Sequence, residues 1–183
     1  MKHIAKSTVT TAVGHDGRIT VMKYEAPCGS LMLGSYGDRL CLCDWLVEHH
    51  HMSVAARLKR ILHADFESGS SPVIDMAVME LGEYFAGVRR EFDVPLMWAG
   101  TEFQCRVWNA LLMIPYGDTI SYGEMARRVG VETAVRAVAN ANGANAISIF
   151  APCHRVIGSN GTLTGYGGGL EAKRWLLRLE GAL

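Results

Sequence analysis

The hydrophobic period changes along this chain, and that change limits the folds open to it. Residues 18–24 mix β-branched and aromatic side chains, as strands do. Residues 30–36 form a second such run, with Leu31 and Leu33 on one face. Residues 39–45 form a third, in which Leu40, Leu42 and Asp44 alternate against Cys41, Cys43 and Trp45. Gly37-Asp38 is a short turn signal that joins the last two runs into a hairpin. Helical spacing follows. Residues 54–62 read as a short basic helix, and Val73, Ala77, Leu81 and Tyr84-Phe85 mark a helix over 72–86 with Pro72 in its first turn and Gly87 as its stop. Residues 92–95 look like an extended link.

Past that link the pattern is mostly helical. Phe103, Val107, Ala110-Leu111 and Ile114 mark an amphipathic helix ended by Pro115-Tyr116-Gly117-Asp118. Ser121 followed by Glu124 predicts a capping box opening a helix through Val129, Gly130 breaks it, and residues 132–142 form the next. Two short helices joined by a glycine turn predict helix-turn-helix geometry. Residues 170–179 form a last helix with Leu170, Trp175 and Leu179 facing inward. The expected fold class is α/β. A small N-terminal α/β domain with an antiparallel sheet, residues 1–94, precedes a mostly helical C-terminal domain, residues 95–183, with a winged helix-turn-helix.

Lys and Arg total 18 and Asp and Glu total 18, which argues against a uniformly basic nucleic-acid coat. Residues 1–94 carry 10 basic and 12 acidic side chains, and residues 95–183 carry 8 and 6, so an anionic partner would favour the second half. The odd set of five cysteines, Cys28, Cys41, Cys43, Cys105 and Cys153, follows a polar N-terminus without an apolar signal core. No run approaches the roughly 18 apolar residues of a membrane span. A cytoplasmic protein with reduced thiols is expected, with no membrane partner. Cys41 and Cys43 ahead of His49-His50-His51 lack a zinc-finger spacing, so a solvated histidine cluster is expected there rather than a metal.

The chemistry concentrates in Pro152-Cys153-His154-Arg155-Val156-Ile157, after an apolar run and before a glycine-rich stretch. A thiol beside an imidazole and a guanidinium can lose its proton to a base and be stabilised by positive charge. Successive side chains on an extended segment face opposite ways, which favours a water-bridged Cys153–His154 link over a direct one. Glu180 is a candidate to hold the His154 tautomer, although a carboxylate at a helix end is ordinarily solvated. The alanine-rich segment 133–142 with Arg136 could approach a neighbouring helix or a DNA groove closely. Gly165-Tyr166-Gly167-Gly168-Gly169 lacks the Lys-Ser/Thr of a phosphate loop and suits close backbone approach to a flat ligand.

From Phe103 to Gly181 these segments together resemble the O6-alkylguanine-DNA alkyltransferases, also called methylated-DNA–protein-cysteine methyltransferases. The resemblance rests on Ile114-Pro115-Tyr116-Gly117 with Ser121-Tyr122, Arg136-Ala137-Val138, Asn142-Gly143 with Asn145, Pro152 to Val156, Gly165-Tyr166 with Gly168-Gly169-Leu170, and Trp175 to Leu177 with Glu180-Gly181. Ala26 to Leu31 and Glu83 to Gly87 extend it into the first half. It implies Cys153 as alkyl acceptor, His154 as its activator through water, Glu180 as the orienter of His154, and Asn145 as the hinge presenting the thiol. Tyr122 would contact the flipped nucleotide and help neutralise the departing guanine, and Arg136 would fill the gap left in the duplex. Ala134, Ala137 and Arg155 would join the DNA contact. Tyr166, Gly167, Gly168, Ser148 and Val156 would form the pocket, with the carbonyls of Cys153 and Val156 receiving the guanine amino group. Gly167 stands where a small Ser or Ala is usual, so a hydroxyl aimed at O6 is missing.

The chemistry agrees with that implication. A soft thiolate suits attack at carbon, the guanine leaving group needs a donor, and the buried target must be swung out of the duplex. The thioether product has no evident route of cleavage, so one turnover per molecule is expected. The resemblance implies a monomer acting on double-stranded DNA bearing alkylated guanine, through its minor groove, without cofactors. O4-alkylthymine is a candidate secondary substrate. The rival readings are a cysteine hydrolase, which needs a direct Cys–His pair, a lesion sensor without chemistry, and a plain helix-turn-helix regulator.

Overall fold

The computed structural model describes residues 17–183, apart from the side chains of residues 48–50. His49 and His50 therefore lie outside what is described, and the histidine cluster is seen only at His51, whose Nδ1 is 3.7 Å from Asp44 Oδ2.

Strands β1 (Arg18–Ala26), β2 (Gly29–Tyr36) and β3 (Arg39–Trp45) pair antiparallel, as the two-residue connections between them require. A fourth strand, β4 (Asp65–Ser68), runs parallel to β1 and completes the order β3-β2-β1-β4. Sequence reading passes over β4 because it is mainly polar and exposed, as an edge strand can be. Helix α1 (Glu48–Leu62) begins six residues ahead of the expected start. Its N-cap, Val47, offers no side-chain cap, so the sequence carries no start signal there. Helix α2 (Pro72–Phe85) starts as expected, with Ser71 Oγ accepting from Ile74 N.

The outer edge of β3 is covered by later chain. Leu40 exchanges backbone hydrogen bonds with Pro95 and Met97, and Cys43 with Ala146 and Ser148, at 2.7–2.9 Å. Two apolar cores result. The first joins the sheet, α1 and α2 to Ala146, Ile147, Ile149, Phe150, Ala172 and Leu176. It thus draws side chains from both sides of residue 94.

The second core lies among α3 (Glu102–Leu111), α4 (Tyr122–Arg128) and α5 (Val135–Gly143) and includes Ala151, Cys153 and Val156. Trp108 is central to it: the indole is buried and its Nε1 donates to Ala141 O at 2.8 Å, tying α3 to the end of α5. The reciprocal capping box sits at Thr101 and Gln104, ahead of α3. At α4 only half of the expected box forms. Ser121 Oγ accepts from Glu124 N, but the Glu124 carboxylate turns to Arg127 and Arg128.

Strand β5 (Ile120–Ser121) pairs parallel with β6 (Val156–Ile157), tying the entry of α4 to the exit of the cysteine segment. Helix α6 (Gly169–Leu179) buries Ala172, Lys173, Leu176 and Leu177. Leu170, expected inward, is 44% exposed in the first turn of this helix. The segment from 146 to 156 is therefore the seam between the cores.

Candidate active site

Asn145 shapes the seam. Its buried amide donates to Ala151 O at 2.9 Å while its Oδ1 accepts from Ile147 N at 3.0 Å, closing a tight loop. At the loop's tip Ile149 takes φ +73, and Phe150 N bonds Ser148 O at 2.9 Å across it. A β-branched residue in the left-handed region costs roughly 1–3 kcal/mol, which the surrounding hydrogen bonds offset. The loop delivers Cys153 into a single 3-10 turn, Cys153–Arg155, rather than the extended segment expected from sequence.

Cys153 is 5% exposed. Burial raises its thiol above the ordinary value, while hydrogen bonding from Asn145 and Ser148 and the charge of Lys173 pull the other way. His154 is fully buried, with Nε2 2.9 Å from Glu180 Oε1. Among the described residues its Nδ1 has no hydrogen-bond partner. Burial lowers the His154 pKa, though Glu180 opposes that, so the ring is neutral near pH 7 and able to accept a proton. Burial alone would raise the Glu180 carboxyl, but the bonds from His154 and Arg155 outweigh it and hold the group well below the usual carboxylate range.

Glu180 is thus no solvated helix end. Besides His154 it accepts from Tyr84 Oη at 2.7 Å and from Arg155 Nε and Nη2 at 2.8 and 2.9 Å. Arg155, expected to contact DNA, belongs to this interior: it is 5% exposed, and its remaining Nη1 donates to Ile114 O at 2.6 Å. Its fork is committed to Glu180 and cannot reach a phosphate.

A cleft of about 920 Å³ opens between α5 and the loop that follows the cysteine segment. Arg136, Ala139, Asn140 and Gly143 of α5 line one side, and Thr164 to Gly167 with Tyr122 line the other. Two of these walls, Tyr122 and Tyr166, are electrostatic neighbours of Cys153. Tyr122 Oη is 3.4 Å from Thr164 O. Arg136 is exposed and makes no ion pair or hydrogen bond among the described residues. Ala134 and Ala137 lie on the same helical turn but outside the cleft wall, Ala137 exposed and Ala134 half-buried. Three residues expected in the pocket do not line it: Ser148 and Val156 are buried behind it, and Gly168 is pressed against Trp45. Of the two carbonyls expected to receive the guanine amino group, Val156 O already accepts from Lys173 Nζ, and Cys153 O from both Asn142 Nδ2 and the Val156 N–H that closes the 3-10 turn.

A family profile described as "6-O-methylguanine DNA methyltransferase, DNA binding domain" matches residues 102–182. A Mycobacterium tuberculosis protein named methylated-DNA–protein-cysteine methyltransferase is 62% identical over 156 residues, covering 85% of this chain and 88% of that one. The chain belongs to the methylated-DNA–protein-cysteine methyltransferase family. Solved structures agree. The crystal structure of Mycobacterium tuberculosis O6-methylguanine methyltransferase superposes with a TM-score of 0.76 at 46% identity, and Mycobacterium tuberculosis OGT in complex with DNA does so with 0.74 at 44%, each covering 90% of this chain and 93% of the other.

In this methyltransferase sequence reasoning missed two buried polar residues near the thiol. Lys173 is fully buried and donates to Val156 O at 2.6 Å and Thr164 O at 2.8 Å. Burial pushes its pKa down to about 8, partly resisted by Cys153. Its signal was available, because Lys173, Leu177 and Glu180 fall at helical spacing on one face of α6. Tyr84 reads as one more apolar residue of α2, and only its partner Glu180, 96 residues away, makes it part of the site.

Proposed function

We propose that this methyltransferase repairs DNA by moving the alkyl group of O6-alkylguanine directly onto Cys153 Sγ, once per molecule. The observation that carries the reading is a buried thiol next to a neutral His154 held by the ionised Glu180, sharing its neighbours Tyr122 and Tyr166 with a cleft that is also lined by a helix with an unpaired arginine. His154 Nδ1, the nitrogen turned away from Glu180, takes the thiol proton by way of water. The thiolate attacks the alkyl carbon, the S–C bond forms as the C–O6 bond breaks, and the electron pair leaves with guanine. Tyr122, raised above the ordinary phenol value by burial, stays protonated and donates to that leaving group. Asn145 holds the hinge, and Tyr166 and Gly167 border the extruded base.

Double-stranded DNA is the partner, met through the minor groove by α5, with Arg136 filling the vacated stack and Ala134 and Ala137 allowing close approach. The protein acts as a monomer in the cytoplasm, without cofactor, and O4-alkylthymine is a secondary substrate. Residues 1–94 support the 95–183 unit that carries the chemistry. Among the described residues no hydrogen bond joins Cys153 to His154, which disfavours a cysteine hydrolase.

Intact-mass measurement after incubation with a duplex containing O6-methylguanine tests this. One methyl group is expected on Cys153, and none on Cys153→Ser. Methyl on Cys28 or Cys105, or repeated turnover, would overturn it.

A further inference from the structure

The N-terminal sheet reaches the substrate loop through one side chain. Trp45, the last residue of β3, is 2% exposed. Its Nε1 donates to Tyr166 Oη at 3.1 Å, and the two rings meet edge to face at 5.9 Å. Tyr166 in turn packs edge-on against the His154 ring at 6.3 Å and forms part of the cleft wall. Glycines flank the indole. A Cβ on Gly168 would lie 2.5 Å from Trp45 ring atoms, and one on Gly29 would lie 3.2 Å from them. The loop backbone therefore rests on the indole at a distance that only glycine permits.

We propose that Trp45 is a positioning residue for alkyl transfer: it fixes Tyr166 and the loop around Gly168 as the wall against which the alkylated base reacts. The inference rests on the alkyl-transfer reading above. An indole N–H can only donate, and by occupying a lone pair of Tyr166 Oη it leaves the phenol's own proton to point elsewhere. A phenol that accepts one hydrogen bond is also the stronger donor of another. The ring below Gly168 meanwhile keeps the loop from sagging away from the cleft.

Single-turnover transfer from an O6-methylguanine duplex, with DNA affinity measured separately, tests the assignment. Trp45→Phe, which keeps an aromatic ring and loses the N–H, should slow the bound-state transfer rate by about 3- to 10-fold with DNA affinity unchanged. The same substitution in a Tyr166→Phe background should cost nothing further. Gly168→Ala should slow transfer by about tenfold or more, and adding Trp45→Leu should recover part of that loss. Additive losses for Trp45 and Tyr166, a change confined to DNA affinity, or no rescue of Gly168→Ala would overturn the role of Trp45 while leaving the reaction standing. Absence of transfer by the unaltered protein would overturn both.

Discussion

The seat of the thiol and the face of α5 are built on opposite terms. Around Glu180 the polar groups of Tyr84, His154 and Arg155 converge on one carboxylate, all of them shielded from solvent. Along the outer face of α5 the side chains are small or exposed, and Arg136 makes no ion pair or hydrogen bond among the described residues. Except at His154 Nδ1, the first region has completed its hydrogen bonds before any ligand arrives. The second keeps its interactions for a partner. Chemistry that needs a fixed proton acceptor suits the former, and a surface that must enter a deforming duplex suits the latter.

If that contrast is sound, damage to the two regions should differ in kind. Glu180→Ala leaves Arg155 and His154 buried without their counter-group, so it should destabilise the fold by about 3–5 kcal/mol in urea unfolding and abolish transfer. A loss below about 1 kcal/mol would erase the distinction. The contrast should also be visible in acid. The Glu180 carboxyl is depressed in the folded state relative to about 4.3 when unfolded, so its contribution is present above that pH and is lost as pH falls below it. The acid limb of the stability curve should therefore flatten in Glu180→Gln. A limb identical to that of the unaltered protein would place the acid sensitivity elsewhere. Arg136→Ala should leave unfolding unchanged and slow transfer from duplex DNA by about tenfold, a part of the few kcal/mol that base extrusion costs. Transfer from the free modified base should be unaffected, and equal losses in both assays would remove Arg136 from the extrusion step.

What the sequence shows and hides follows the same division. Period-two runs and capped, glycine-punctuated helices are local signals, and β1 to β3, α2 and the α4–α5 pair were legible from them. Strand β4 carries no apolar alternation, and the start of α1 carries no cap, so neither was. In the site, the thiol with its neighbours stood out as a motif. Its surroundings did not, because adjacency in sequence says little about direction. Arg155 reads as a surface cation until Glu180, 25 residues on, is seen to take its guanidinium inward. Trp45 was hidden likewise, looking like a strand terminus, and the spacing that puts Lys173 on the Leu177 face of its helix does not show its partners: each acquires meaning only from a carbonyl or hydroxyl supplied by the loop after Cys153.

The covered edge of β3 has a consequence for how such a protein can be cut or recombined. Because residues 95–97 and 146–148 serve as the missing neighbour of that strand, the sheet acts as a template that dictates the register of the cysteine loop. Cleaving the chain in two would leave the first fragment with a bare, hydrogen-bonding ribbon edge, prone to aggregation, and the second with a loop that has lost its ruler.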